Sequence, residues 1–376
     1  MQDFIPVNEP LLDGREAEYL IECIRTGWIS SEGPFVKQFE EKMAAMVNRK
    51  HGIAVCNGSA ALELAMAALD LEPGSEVIMP AFTIISCAAA IIRRGCVPVL
   101  VDSDPETWNM DVTQIEARIT RRTRAIMVVH IYGLPVDMKP VLELADKYGL
   151  KIIEDAAEMH GQICYGQPCG SFGDISIFSF YPNKHITTGE GGMVMTNDDL
   201  LAERSRSFRN LCFQPAKRFV HEELGYNFRM TNLQAALGLA QIERIDEFVE
   251  RKKSMGNLYT ELLSGHDELQ LPLVSVGYAE NIYWVYGLLI DERHQFDAND
   301  IMRRLGDNGV GTRPFFYPMH KQPVFEKMGL FRGESYPIAE RMWKRGFYLP
   351  SGLGLKQEQI HRIVKIIDVI LGKSKN

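Results

Sequence analysis

Residues 178–192 have the sequence FSFYPNKHITTGEGG, which places Lys184 between an apolar run and a cluster of hydroxyls and glycines. An isolated lysine is usually a solvated surface charge. Here the glycines permit unusual backbone angles and the close approach of a ligand. The hydroxyl side chains can bind a phosphate or hold the loop. The segment therefore predicts a lysine with a chemical role at the end of a buried strand.

A carboxylate follows a second apolar run, in residues 151–158, KIIEDAAE. The carboxyl ends of parallel strands open into the ligand crevice of a sheet, and Asp155 stands at such an end. A carboxylate there can hold a protonated ring nitrogen. Taken alone, Asp155 is equally well interpreted as a helix N-cap. Together with Lys184, whose amine can form a Schiff base, it meets the two requirements of pyridoxal phosphate chemistry.

A third polar segment, Asn57-Gly58-Ser59, comes directly before an alanine-rich helical pattern. The free N–H groups and the dipole of a helix N-terminus attract phosphate. Ser59 can add a hydroxyl, or it can simply cap the helix, and the two interpretations are compatible.

Short apolar runs alternate with amphipathic segments between residues 50 and 200. This alternation predicts an α/β domain with a mixed, mostly parallel sheet between helices. Residues 193–196 can pair antiparallel with 175–180. The predicted strands are 52–56, 76–80, 97–102, 125–130, 151–154, 175–180 and 192–196, and the predicted helices are 13–26, 32–46, 60–69, 113–119 and 138–148.

The last third of the chain predicts a smaller α+β domain. One long helix over residues 231–255 is expected to connect the two domains. A strand at 283–289, a helix at 297–308, a proline-rich loop at 313–323 and a helix at 357–371 follow. The domains are therefore expected at 1–244, which would bind the cofactor, and at 245–376.

Composition limits the classes of function. The 376 residues carry a net charge of −8 without a long basic run, which argues against nucleic acid as a partner. The 7 cysteines are scattered and form no CxxC pair, so we expect reduced thiols in the cytoplasm and neither disulfides nor a bound metal. No apolar stretch has the length of a membrane span, so no membrane association is expected.

Five segments together resemble the DegT/DnrJ/EryC1/StrS family of sugar aminotransferases, which have the aspartate-aminotransferase-like fold type I. The resemblance extends over essentially the whole chain, and the lysine segment is its most specific part. The other segments are TGWIS at 26–30, CNGSAAL at 56–62, IEDAAE at 153–158 and GYNFRMTN at 225–232. The family uses pyridoxal 5'-phosphate, so the resemblance implies this cofactor.

The resemblance also implies roles for the polar residues. Lys184 would form the Schiff base and move the proton, and Asp155 would hold the pyridine nitrogen. The phosphate would be held by Ser179 and by the Gly58-Ser59 amides. Asn227 would reach the cofactor of a neighbouring subunit, which implies a homodimer with shared active sites.

Two positions around the cofactor ring each have two candidate residues. Glu158 corresponds to the family's polar group near the 3-oxygen or the substrate, with His160 as its local rival. The family's ring-stacking aromatic residue is replaced here by Ile84. Either Ile84 covers the ring, or Phe82 substitutes.

The resemblance is strongest to the GDP-perosamine synthases. It implies transfer of an amino group from L-glutamate to C4 of a nucleotide-linked 4-keto-6-deoxyhexose, for O-antigen or another surface polysaccharide or glycoconjugate. Amination of C4 or C3 of a dTDP- or UDP-ketosugar, or of a cyclitol ketone, is the alternative, because residues 209–213 depart from the perosamine pattern. The substrate residues implied are Trp28, Ser30, His185, Arg229, Tyr317, Met319 and His320.

The sequence disfavours two other functions. A branch of the superfamily replaces the lysine with histidine and becomes a 3-dehydratase, but this chain has Lys184. A binding protein that keeps the fold without catalysis is disfavoured by the intact pair of Lys184 and Asp155.

Overall fold

The computed structural model describes residues 4–214 and 216–372. Its strands are β1 (His51–Val55), β2 (Glu76–Pro80), β3 (Val97–Val101), β4 (Thr123–Val129), β5 (Lys151–Asp155), β6 (Ile163–Cys164), β7 (Gln167–Pro168), β8 (Ile175–Ser179), β9 (Gly192–Thr196), β10 (Leu269–Gln270), β11 (Ser275–Val276), β12 (Ala279–Glu280), β13 (Tyr286–Ile290), β14 (Arg313–Pro314) and β15 (Gly346–Leu349).

The helices alternate with these strands in the first half of the chain and dominate the second half. They are α1 (Glu16–Thr26), α2 (Pro34–Met46), α3 (Gly58–Leu69), α4 (Ile85–Arg93), α5 (Ile115–Arg118), α6 (Met138–Tyr148), α7 (Asp199–Arg209), α8 (Asn232–Ile242), α9 (Ile245–Leu263), α10 (Ala298–Asp307), α11 (Pro323–Lys327), α12 (Pro337–Arg345) and α13 (Gln357–Ile370). Short 3-10 turns lie at Val112–Gln114 and Met319–Lys321.

The large sheet has seven strands in the order β1-β9-β8-β5-β4-β2-β3. Strand β9 is antiparallel to both of its neighbours, and the other pairs are parallel. Along β4, Ala125 and Met127 face one apolar cluster while Ile126 and Val128 face the other, so both faces of the sheet are covered. This confirms the predicted α/β fold with a mixed, mostly parallel sheet between helices.

The predicted single helix over residues 231–255 is wrong. The structure has two helices, α8 and α9, separated at Glu243 and Arg244. Arg244 leaves helical geometry with φ −118° and ψ 16°, and its guanidinium binds Asp13 and Glu247. No glycine or proline marks this break, so the apolar pattern continues through it.

A second sheet, in the order β10-β13-β15-β14, is entirely antiparallel. It packs with α9, α10 and α13 around a separate core that includes Tyr259, Tyr286 and Ile363. The predicted boundary between 244 and 245 falls at the turn between α8 and α9, and it stays a prediction.

None of the helices within residues 4–214 and 216–372 combines the length and the apolar character that crossing a membrane requires.

Candidate active site

A cavity of about 540 Å³ opens where β5 and β8 end and α3 begins. Asp155 is the last residue of β5, Ser179 is the last of β8, and Gly58 is the first of α3. Three aromatic side chains from the second half of the chain also line it, namely Trp284, Phe316 and Tyr348. Two parts of the chain that are far apart in sequence therefore build one cavity.

Lys184 projects into this cavity with a side chain that is 10% exposed. Its Nζ lies 3.7 Å from Oε1 of Glu158 and 3.8 Å from the centre of the Trp284 ring. Burial lowers the pKa of Lys184, and the carboxylates of Glu158 and Asp155 partly oppose that shift. The result is an amine that loses its proton more readily than a surface lysine, as a nucleophile requires.

Asp155 lies buried at the floor of the cavity. Oδ1 accepts a hydrogen bond from the Ala157 N–H at 3.0 Å, and Oδ2 accepts one from the Cys87 thiol at 3.4 Å. Burial raises the pKa of Asp155, and the Ala157 N–H and Lys184 oppose that rise. A cation that entered the cavity would stabilise the carboxylate, so the residue fits a protonated pyridine nitrogen.

Glu158 faces Lys184 and is held by the Tyr132 N–H, which donates to Oε2 at 2.7 Å. Burial raises the pKa of Glu158 to about 7. His160 does not line the cavity, because it packs between Phe178 and Phe180. Burial lowers the pKa of His160 to about 3. Of the two rivals, Glu158 is the one that faces the cavity.

The N-terminus of α3 forms the other end of the cavity. Asn57 is the cap of this helix, accepting from the Ala60 N–H at 2.8 Å, so Ser59 is not needed as a cap. The Ser59 hydroxyl instead lies 2.7 Å from that of Ser86. A Cβ on Gly58 would stand 2.7 Å from the Cβ of Ser179, so only glycine lets the helix approach β8 this closely. Hydroxyls and free N–H groups together suit a phosphate.

The two threonines after Lys184 hold the loop. Thr187 Oγ1 donates to the Phe180 carbonyl at 3.0 Å, and Thr188 Oγ1 donates to the Glu190 carbonyl at 2.7 Å. Gly189 has φ +76°, a conformation that favours glycine. These bonds fix the position of the lysine along the loop.

The two candidates for covering the cofactor ring, Ile84 and Phe82, differ in burial. Ile84 is 44% exposed and lines the cavity. Phe82 is fully buried and packs against Tyr132, Phe315 and Phe316. Ile84 is therefore the residue that faces the cavity.

Three of the expected substrate residues are buried and do not line the cavity, and their contact with substrate stays a prediction. His185 is buried, with Nε2 lying 3.3 Å from the Ile282 carbonyl. Met319 is fully buried, and its N–H donates to the Ala81 carbonyl. His320 lies 2.9 Å from the Glu340 carboxylate. Which way these side chains point depends on packing that local sequence does not reveal.

The remaining expected substrate and partner residues do not line the cavity of their own chain. Trp28 is 50% exposed, and Ser30 and Asn227 are also exposed. Tyr317 packs edge-on against Trp343. Arg229 lines a second cavity of about 490 Å³ together with other arginines.

The sequence prediction missed the aromatic wall. Trp284 precedes β13, and Phe316 and Tyr348 lie in or beside β14 and β15. Their aromatic runs are typical of core strands, so no local signal separates them from residues that only fill space. Cys87 was also missed, because a lone cysteine in an apolar helix carries no signal.

A cluster of buried side chains below the sheet edge, His130, Glu154 and Cys169, brings its ligand-type atoms within 4.8 Å of one another. Hydrogen bonds already occupy it. Glu154 accepts from the N–H groups of Gly170 and Phe172, and His130 accepts from the Val136 N–H, which directs its other nitrogen to Glu154. The cluster therefore acts as a structural network.

Comparison with known proteins identifies the family. Residues 10–368 match the model of the DegT/DnrJ/EryC1/StrS aminotransferase family. The chain belongs to this family. It is an aminotransferase that uses pyridoxal phosphate, as other members do.

Individual relatives match nearly end to end. The chain is 41% identical to the GDP-perosamine synthase of Escherichia coli O157:H7, covering 97% of this chain and 98% of that one. It is also 41% identical to the GDP-perosamine synthase of Caulobacter vibrioides, with 98% of each chain covered. The crystal structure of DesI in the presence of its TDP-sugar product is 30% identical with a TM-score of 0.88, covering 99% of this chain and 94% of DesI.

Proposed function

We propose that the protein transfers an amino group from L-glutamate to C4 of a GDP-linked 4-keto-6-deoxyhexose, the reaction of a GDP-perosamine synthase. The observation that carries the choice of sugar is the 41% identity to two GDP-perosamine synthases along almost the whole chain. The product would enter O-antigen or another surface polysaccharide or glycoconjugate. The seven cysteines are free thiols, which fits a reaction in the cytoplasm.

We assign the cofactor to the cavity beside Lys184. Asp155 would bind the pyridine nitrogen, and Ile84 would cover the ring. Gly58, Ser59 and Ser179 would bind the phosphate. When bound, pyridoxal phosphate supplies an electron sink for the carbanion formed at the amino-bearing carbon.

Lys184 would move the proton to and from the amino-bearing carbon within each half of the reaction. Burial favours its neutral amine, which can take a proton, and Glu158 lies close enough to stabilise the ammonium that results. Because Glu158 itself has a pKa of about 7, its charge changes near neutral pH. Small shifts in either group would therefore change the rate at physiological pH.

We further propose that the active unit is a homodimer. Asn227, Trp28 and Ser30 are exposed and lie outside the cavity of their own chain, which supports contacts to a neighbouring subunit. The exposed apolar side chains of Ile29 and Ile85 fit burial in such an interface.

A substrate panel tests the proposal. GDP-, dTDP- and UDP-linked 4-keto-6-deoxyhexoses would each be incubated with L-glutamate, with 2-oxoglutarate formation giving the rate and NMR giving the aminated carbon. We expect the highest kcat/KM for the GDP sugar and an amine at C4. A preference for a dTDP or UDP sugar, or an amine at C3, would contradict the proposal.

A further inference from the structure

Trp284 makes two contacts with the lysine loop. The centre of its ring lies 3.8 Å from Nζ of Lys184, and its indole N–H donates to the Asn183 carbonyl at 2.7 Å. The side chain is buried, with 3% of its surface exposed, and it lines the cavity. One residue from the second half of the chain therefore holds both the charged end and the backbone of the lysine loop.

Trp284 is itself held in place. Its carbonyl accepts a hydrogen bond from Nζ of Lys252 at 2.9 Å, and Lys252 also donates to the Ser351 carbonyl. Lys252 is buried on α9. The centre of the Tyr132 ring lies 5.9 Å from the centre of the Trp284 ring. The indole is thus fixed between the two parts of the molecule.

We propose that Trp284 is a positioning residue for Lys184, with its ring holding the ammonium beside Glu158 and its N–H fixing the loop. The inference rests on the proposed role of Lys184. The face of an indole attracts a cation, and the attraction is largest where water is excluded. A neutral amine gains nothing comparable, so the ring favours the protonated lysine.

The other groups around Nζ of Lys184 differ in whether they favour its protonated form. Glu158 and Asp155 favour the ammonium, whereas burial opposes it. His160, His185 and Lys252 approach from the neighbouring elements, and any positive charge on them would disfavour a second cation. The indole is the uncharged group that stabilises the ammonium without adding a titration of its own.

Two substitutions separate the two contacts. Trp284→Leu removes both the aromatic face and the N–H donor. Trp284→Phe keeps an aromatic face and removes only the donor. We expect Trp284→Leu to lower the pKa of Lys184 by about 0.5 to 1.5 units, and Trp284→Phe to lower it by less.

The measurement uses the full-length protein stripped of cofactor, and again with pyridoxamine phosphate bound. Reductive methylation with formaldehyde and cyanoborohydride is followed against pH, and mass spectrometry of the Lys184 peptide gives the titration. Because a lower pKa leaves more free amine, Trp284→Leu should react faster near neutral pH. An unchanged Lys184 titration in folded Trp284→Leu would overturn the proposal.

Trp284→Phe keeps the test decisive if the leucine variant does not fold. Its loss of the Asn183 hydrogen bond should speed amide hydrogen exchange in residues 181–186 and lower kcat, with the KM for glutamate nearly unchanged. Unchanged exchange together with an unchanged titration would overturn the inference.

A failure of this inference can be distinguished from a failure of the proposed function. If Lys184→Ala keeps a borohydride-reducible link to the cofactor, the proposed role of Lys184 fails. If that link is lost while the Trp284 variants behave like the parent, only the inference about Trp284 fails.

Discussion

The two walls of the cavity differ in chemistry. The wall at the strand ends of the large sheet carries the charged and hydroxyl groups, among them Lys184, Asp155 and Ser59. The wall from the second half of the chain is aromatic and carries Trp284, Phe316 and Tyr348. Under the proposed function, the first wall would supply the groups that react or bind ions, and the second would exclude water and hold the first in position. Substitutions in the two walls should therefore differ in kind as well as in size.

Lys184→Ala should have the largest effect, because it removes the lysine amine that lines the cavity among residues 4–214 and 216–372. We expect turnover to be abolished and the absorbance of the bound cofactor to change to that of the free aldehyde. Lys147→Ala is the matched control, since Lys147 is an exposed lysine paired with Glu116. If Lys184→Ala retained turnover, the strand-end wall would not carry the reacting amine, and the two walls would not differ in this way.

Asp155→Asn should have the second-largest effect on turnover. It keeps the shape of the side chain but removes the charge that would stabilise a pyridinium, so kcat should fall by about 10² to 10³-fold. The control is Asp174→Asn, directly before β8 and at the other end of the strands, where the carboxylate pairs with Lys151. Equal losses of kcat in the two variants would mean that a carboxylate at the carboxyl ends of the strands has no special role.

Gly58→Ala tests the close approach of α3 to β8. The added Cβ would stand 2.7 Å from the Cβ of Ser179, so the helix must shift. We expect the free energy of unfolding to fall by about 1–3 kcal/mol, with weaker binding of pyridoxal phosphate. Gly265→Ala has open space around it and is the neutral control. Both variants would be titrated with pyridoxal phosphate and unfolded with denaturant. Equal affinity for pyridoxal phosphate in the two variants would contradict the prediction.

Lys252→Met tests the support behind the aromatic wall and should have the smallest effect. Burial lowers the pKa of Lys252 from 10.5 to about 7 in the folded protein. Between these values the unfolded chain binds more protons, so the parent gains stability as pH rises, and the variant lacks this gain. We expect the loss of stability to be about 2–3 kcal/mol larger at about pH 9 than at about pH 6.

Denaturation at the two pH values measures this loss, with Lys253→Met as the control because Lys253 is a partly exposed neighbour paired with Glu280. A loss that is the same at both pH values would contradict the assigned titration of Lys252.

The strand-end wall could be predicted from sequence and the aromatic wall could not. Asp155 and Lys184 stand in short segments whose apolar run, polar residue and glycines all lie within a few positions. Parallel strands then bring their carboxyl ends together at one edge. Trp284 reaches Lys184 only through the packing of the second sheet, and its own segment is typical of any buried strand.

Distant contacts also set features of the chain that the local sequence does not predict. His185 and Met319 stand in loops that make hydrogen bonds to Ile282 and Ala81, far away in the chain. The break between α8 and α9 depends on the binding of Arg244 to Asp13, which no local pattern records.

The most direct test of the central claim is reduction of the protein with borohydride in the presence of pyridoxal phosphate, followed by peptide mapping. Lys184 and Lys252 are both buried lysines whose pKa is lowered by burial, so the map discriminates between two real candidates. We predict the cofactor mass on the Lys184 peptide alone. Attachment to Lys252, or the absence of any attachment, would contradict the account.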